Sequence, residues 1–224
     1  MNNSIRKQLA CSIIIFWAFI MPSIALCGQD LKMMKLTKSD IRENVRWRYE
    51  FTDKTGYYKE TIFLYKNGRF KYFEHGCLFN FYSTGKWEIS NSILVLNNDI
   101  KKEDVPASIS YSNDTTDIFG LSIFGIVRNR KGESISSAFV NINTDSVRCL
   151  PAYELCDGSY KTIDSVRLIF ENGFTSKWMK VLKRPEKYIF IKVETDLEIE
   201  SYISFDNFKY RLARGLLKPI EVNK

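Results

Sequence analysis

The only histidine in the sequence, His75, stands in the run Phe73-Glu74-His75-Gly76-Cys77. Together with Glu74 and Cys77 it supplies part of a metal-ligand set, yet no partner at metal-binding spacing occurs elsewhere. A Ser-His-Asp arrangement around it is formally open, but no nucleophile elbow accompanies it. Glycoside hydrolysis needs two carboxyl groups at a set separation, and none of the many acids sits in an apolar run that marks it out. The expectation is no catalytic residue, no metal and no cofactor. A second grouping is basic. Lys177, Lys180, Lys183, Arg184 and Lys187 surround Trp178, a combination that could hold lipid phosphate or an acidic glycan by charge and stacking. The alternative is a solvated strand edge, where lysines deter sheet-to-sheet pairing.

The elements that must position these residues read as β-structure throughout. In ETIFLYKNGRFKYFE, Asn67-Gly68 between alternating apolar runs predicts a two-residue hairpin. That turn pairs Lys66 with Arg69 and Tyr65 with Phe70, and it places Phe63, Tyr65, Phe70 and Tyr72 on one buried face. In GKWEISNSILVLNN, an Asn91-Ser92 loop lines up Trp87, Ile89, Leu94 and Leu96. Phe79, Phe81 and Tyr82 suit a further strand between the two hairpins. Ahead of them, Thr37 or Ser39 followed by an acid predicts a short capped helix, with an extended tether as the alternative. Residues 99–118 are polar, contain Pro106 and mark a boundary.

Downstream, Phe124 to Ile142 reads as one hairpin. Its loop Asn129-Arg130-Lys131-Gly132 ends on a glycine suited to positive φ, and Val140 and Ile142 share one strand face. Gly125, Val127, Gly132, Ile135, Ala138, Val140 and Ile142 together resemble the opening of the carboxypeptidase regulatory-like domain, a prealbumin-type β-sandwich. Asp157-Gly158-Ser159-Tyr160 resembles that family's Asp-Gly-x-Phe turn, and Val166, Leu168, Phe170, Gly173 and Phe174 resemble its final alternating strand. The chain departs from the pattern with Asn129 for Asp, Ser134 for Pro, Ser137 for Gly, and Glu154-Leu155 before the turn. The resemblance implies a Greek-key sandwich over residues 119–195 that accompanies other units without performing chemistry itself. Asn67, Gly68, Phe70, Gly85, Trp87, Leu94 and Leu96 also resemble small lipocalin-like domains of exported bacterial proteins. That likeness implies a meander or barrel, either hollow around a small apolar ligand or filled by its own side chains.

Residues 1–28 read as an export signal. Arg6 and Lys7 precede the apolar run Leu9 to Ile20, then Pro22 and small residues up to Ala25. An uncleaved membrane anchor over Leu9 to Cys27, and lipid attachment at Cys27 behind a defective lipobox, remain the alternatives. Export makes a disulfide between Cys149 and Cys156 the expectation, against two reduced thiols, and leaves Cys77 as a buried small hydrophobe.

With hydrophobic residues at 45%, the 224-residue chain can bury a core or two. Its net charge of +7 suits an anionic partner, and export excludes nucleic acid. The whole reads as all-β: an antiparallel meander or barrel over 29–112, a sandwich over 119–195, and an extension over 196–224 that adds a strand to either unit or forms a helix or tail. The expected function is an exported, non-enzymatic binding or scaffolding protein of the periplasm or cell surface, whose partner is an envelope protein or glycan. Its membrane contact would be through the N-terminus. A carrier of a small apolar ligand, or an unrecognised hydrolase, are the alternatives.

Overall fold

The computed structural model describes residues 29–113, 124–153, 155–186 and 188–220. The segment read as an export signal, Cys27, Glu154 and Lys187 lie outside them. The strands in chain order are β1 (Leu31–Met34), β2 (Val45–Thr52), β3 (Lys59–Tyr65), β4 (Arg69–His75), β5 (Asn80–Ser90), β6 (Ile93–Asn98), β7 (Ala107–Ser112) and β8 (Phe124–Arg128). They continue with β9 (Phe139–Ile142), β10 (Arg148–Leu150), β11 (Leu155–Asp157), β12 (Ser165–Ile169), β13 (Met179–Lys180), β14 (Tyr188–Val193), β15 (Phe208–Ala213) and β16 (Leu216–Pro219). The helix α1 (Lys38–Arg42) begins at a reciprocal cap: Asp40 N–H donates to Thr37 Oγ1 at 3.2 Å, and Thr37 N–H donates to Asp40 Oδ2 at 2.8 Å.

The chain is all-β, as its alternation predicts. Eight strands close a barrel in the order β1-β16-β15-β6-β5-β4-β3-β2, with β1 pairing back onto β2. A five-stranded sheet, β11-β10-β9-β12-β13, and a three-stranded sheet, β7-β14-β8, make up the rest. Val127, Ile191 and Val193 of the smaller sheet share one core with Val140, Ile142, Val166 and Leu168 of the larger, so these two form a sandwich. Ala107–Ser112, which the sequence groups with the first unit, pairs with Tyr188–Val193 of this sandwich. Phe208–Ala213 and Leu216–Pro219, from the extension of open role, complete the barrel.

Two hairpins decide what the barrel buries. Asn91 and Ser92 both take positive φ (50° and 61°), the two-residue turn expected there, and Trp87 and Ile89 face Leu96 and Leu94. The β3–β4 turn differs from expectation. Asn67 is not left-handed; only Gly68 is, at φ 78°, and its N–H reaches Tyr65 C=O at 3.2 Å. The connection is therefore one residue longer. Leu64 opposes Phe70 and Ile62 opposes Tyr72, and a one-residue slip exchanges the faces of a strand. Ile62, Leu64, Phe70 and Tyr72 fill the barrel at 1% exposure or less, whereas Phe63 and Tyr65 lie on the outer face.

The segment read as one hairpin from Phe124 is also corrected. A bridge from Arg128 to Ser134 closes its loop, but β8 pairs in parallel with β14, and β9 joins the other sheet. The chain crosses between layers, and the small Ala138 is buried at 1% exposure where it does so.

Barrel and sandwich are joined through residues 199–205. Tyr202 belongs to the sandwich core, 5.7 Å from Phe174 between ring centres, and its hydroxyl donates to Thr84 C=O on β5 at 2.5 Å. Three residues on, Phe205 enters the barrel against Phe70, Tyr72 and Phe208. Asn98 fastens the intervening turn, donating to Ile203 C=O at 2.8 Å and accepting from Phe205 N–H at 2.9 Å.

Candidate functional site

Alternation along the five-stranded sheet sends Val140, Ile142, Cys149, Val166 and Leu168 into the core. The residues between them must then face outward. Pairing register sets them in one row: Asp157 opposite Arg148, Arg148 opposite Asn141, Asn141 opposite Arg167. Trp178, just ahead of β13, ends the row with the Arg167 guanidinium 5.1 Å from its ring centre. Arg148 lies 3.9 Å over the Phe139 ring. Arg148 is exposed to solvent, and among the described residues no carboxylate pairs with it.

The middle of the row is tightly built. Asn141 is 1% exposed and donates from Nδ2 to Asp145 Oδ1 at 2.9 Å. Arg167 forms an ion pair with the same carboxylate oxygen. Asp145 stands in the β9–β10 connection, which Asn143, at φ 59°, turns and ties to β12: its side chain accepts from the N–H groups of Asp164 and Ser165. Asn141 Oδ1 and Arg167 Nε are both buried with no hydrogen-bond partner. A buried donor or acceptor left unmatched costs about 1–3 kcal/mol. Here one of each stands beside a shared carboxylate.

Of the residues singled out in sequence, Trp178 keeps 39% of its surface exposed. Lys180 is exposed on β13 opposite Ser165, on this same face. Lys177 turns away to an ion pair with Asp104 at 2.9 Å. Lys183 follows Leu182, whose N–H donates to Tyr111 Oη of the other sheet. The structure thus turns Lys177 away, keeps Lys180 on the face and sets Arg167 against Trp178. Arg148 and Arg167 lie far from Trp178 in sequence, but the same alternation that buries Val140 and Val166 turned Asn141 and Arg167 outward. Cys149 and Cys156 form the expected disulfide, at paired positions beside Arg148 and Asp157, and secure the edge of the face. Cys77, expected to be buried, is free and exposed in the β4–β5 turn. His75 is exposed too, with Nδ1 against Asn80 Oδ1.

A second grouping lies inside the barrel. Glu60 on β3 and Glu74 on β4 are directly opposed and share the buried face with Ile62, Leu64, Phe70 and Tyr72. Tyr58 Oη donates to Glu60 Oε1, and Tyr72 Oη donates to Glu74 Oε2 at 3.1 Å. Glu60 Oε2 is buried without a partner. Burial, with the Glu74 charge opposite, pushes the Glu60 carboxyl up to about 7 against the pull of the tyrosine hydrogen bonds. Burial raises Glu74 as well. Glu50, by contrast, points outward; burial works against its charge, but hydrogen bonds from Arg48 and Lys59 outweigh it and hold the carboxyl low. Sequence reading missed the Glu60–Glu74 pair because the expected turn put Glu60 on the wrong face.

Among the described residues no cluster of three or more His, Cys, Asp or Glu is placed to hold a metal, and no helix is long and apolar enough to cross a membrane. No family model, curated protein or solved structure matches the chain.

Proposed function

We propose that the protein is an exported, non-enzymatic binding protein of the cell envelope, in which the barrel carries the sandwich and the sandwich does the binding. The row Arg148–Asn141–Arg167–Trp178 carries this reading: it is an outward sheet face that presents an exposed arginine with no carboxylate paired to it and a half-exposed indole. The signal-like segment at residues 1–28 supports export. The resemblance of residues 119–195 to carboxypeptidase regulatory-like domains supports an accessory role, because fold alone carries no chemistry.

The test is retention. Tagged protein is incubated with purified envelope, and bound material is crosslinked and identified. Retention that Trp178→Ala weakens is the expected result. Equal recovery of wild type and Trp178→Ala, or no retention at all, overturns the reading.

The alternative of an apolar-ligand carrier places that ligand inside the barrel. Of its four expected lining residues, Phe70 and Tyr72 face inward and Phe63 and Tyr65 outward. Tyr49, Tyr210 and Phe205 occupy the interior beside them.

A further inference from the structure

We infer that a second copy of the chain pairs with β7, strand against strand, so that two sandwiches join through one continuous sheet. The inference goes beyond the binding face and uses none of its residues.

Among the described residues β7 is the one long sheet edge without a guard. The barrel closes on itself and has no edge. In the five-stranded sheet the outer strands are β11, three residues long, and β13, two residues long and ending on Lys180. In the smaller sheet β8 is covered in part by Ile135, whose N–H donates to Val127 C=O at 2.8 Å. β7 runs for six residues, Ala107-Ser108-Ile109-Ser110-Tyr111-Ser112, with no charge and no proline. It matches β14 residue for residue, from Ala107 opposite Val193 to Ser112 opposite Tyr188, without a bulge. Charges, prolines, bulges and short length are how sheet edges are kept from pairing with other chains, and β7 has none of them.

The register shows which groups that edge presents. Glu194 N–H donates to Pro106 C=O at 2.8 Å, one step beyond the Val193–Ala107 pair. Hydrogen-bonded and non-bonded pairs alternate along an antiparallel ladder. Ser108, Ser110 and Ser112 therefore turn their backbone groups to β14, and Ala107, Ile109 and Tyr111 turn theirs away from it. Among the described residues no hydrogen bond reaches those outward N–H and C=O groups. An extended strand completes such a row.

A second β7 fits it. In an antiparallel pairing about a two-fold axis at Ile109, Ala107 meets the other copy's Tyr111, Ile109 meets Ile109, and Ser108 meets Ser110. Every outward N–H then finds an outward C=O. Ala107 and Ile109 pack on the sandwich core and are only partly buried, so the added strand covers them, with a small residue set against a large one. Charge favours the same arrangement. β7 itself brings no like charges opposite each other. Its leading end, Lys101-Lys102-Glu103-Asp104, sums to zero, while at its far end Arg184 lies 5.0 Å from the Tyr111 ring centre. Antiparallel pairing sets that cation beside the neutral end, with Glu103 and Asp104 nearest, and not beside its own counterpart. Core-facing residues meet core-facing residues, so the axis stands perpendicular to the sheet and both copies turn their Trp178 faces to the same side.

The test is sedimentation velocity on the purified full chain across the micromolar range. A monomer–dimer equilibrium is expected. Ser108→Lys with Ser110→Lys puts lysine opposite lysine across the joint and should weaken the dimer roughly tenfold. Ser108→Lys with Ser110→Glu puts lysine opposite glutamate and should restore it. Ser110 is exposed, and Ser108 donates to Glu194, which a lysine there also meets; thermal melts of dilute protein should therefore match wild type. In hydrogen exchange, the amides of Ile109 and Tyr111 should be protected in concentrated protein and exchange on dilution, while those of Ser108 and Ser110 stay slow throughout. A monomer at every concentration overturns the inference, and so does a dimer that responds alike to both double variants. Protection of Ile109 and Tyr111 that needs added envelope extract in place of more protein also overturns it, and gives the edge to another chain.

Discussion

Glu60 and Glu74 face each other across the β3–β4 pair with both carboxyls turned into the barrel. Like charges directly opposed across strands are destabilising, and burial compounds the cost. The pair is held by tyrosine hydroxyls, Tyr58 on Glu60 and Tyr72 on Glu74.

This arrangement gives the fold a pH dependence of known sign. The Glu60 carboxyl rises from 4.5 to about 7 on folding. Between those values the folded state binds more protons than the unfolded one, so stability falls as pH rises. The contribution is complete below about 4.5 and lost above about 7. Glu60→Gln should flatten that slope and leave the variant more stable than wild type at pH 8, by up to roughly 3 kcal/mol. Urea midpoints measured from pH 4 to pH 8 check this; parallel curves for the two proteins would refute it.

Gly85 lies opposite Phe70, and an added Cβ would stand 2.0 Å from Asn97 C=O and 2.6 Å from the Phe70 ring. The first contact is with backbone and cannot be relieved by a rotamer change. Gly85→Ala should therefore destabilise the protein by roughly 3 kcal/mol, and trimming Phe70 to Leu should not rescue it. A melting curve of the double variant decides the point.

Phe205 fills the barrel at 1% exposure, packed against Phe70, Tyr72 and Phe208. Phe205→Ala should cost about 3–5 kcal/mol. Tyr202→Phe removes one hydroxyl that donates to Thr84 C=O, a loss nearer 1 kcal/mol. Hydrogen exchange should show barrel amides losing protection in Phe205→Ala before those of β9 and β12. Uniform loss across both units would contradict this order.

The disulfide closes a short loop, Cys149 to Cys156. Its loop length corresponds to roughly 2–2.5 kcal/mol of chain entropy, so reduction should lower stability by about that amount and leave the barrel folded. In the native protein a thiol reagent should label Cys77, which is free and exposed, and spare Cys149 and Cys156 until a reductant is added. Peptide mapping reads both outcomes.

Much of the fold is written locally. The Thr37 cap, the Asn91-Ser92 turn, the burial of Val140 and Ile142, and the β14 strand at Tyr188–Val193 all follow from neighbouring residues. The β3–β4 turn shows the limit of that reading. Asn-Gly serves both a two-residue turn and a longer one with a bulge, and the choice moved Phe63, Tyr65 and Glu60 to the opposite faces from those expected. Barrel closure was hidden for another reason: β1 and β16 pair across nearly the whole described chain, and no local pattern encodes a partner that distant. The binding face was half legible. Trp178 stood out by type, but Arg148 and Asn141 come to share its face only through the order of four strands in the sheet.

The pairing of Leu31 and Lys32 with Leu217 and Leu216 also sets an order of assembly. As the chain emerges from a ribosome or a translocation channel, the strands up to β6 appear first, then the whole sandwich, and only then β15 and β16. Until those last two strands arrive, the edges of β1 and β6 lie open and can pair with a neighbouring chain. The sandwich can finish folding while the barrel waits. A nascent chain stalled before Leu216 would be a sticky intermediate of the kind that quality-control proteases and holding chaperones remove.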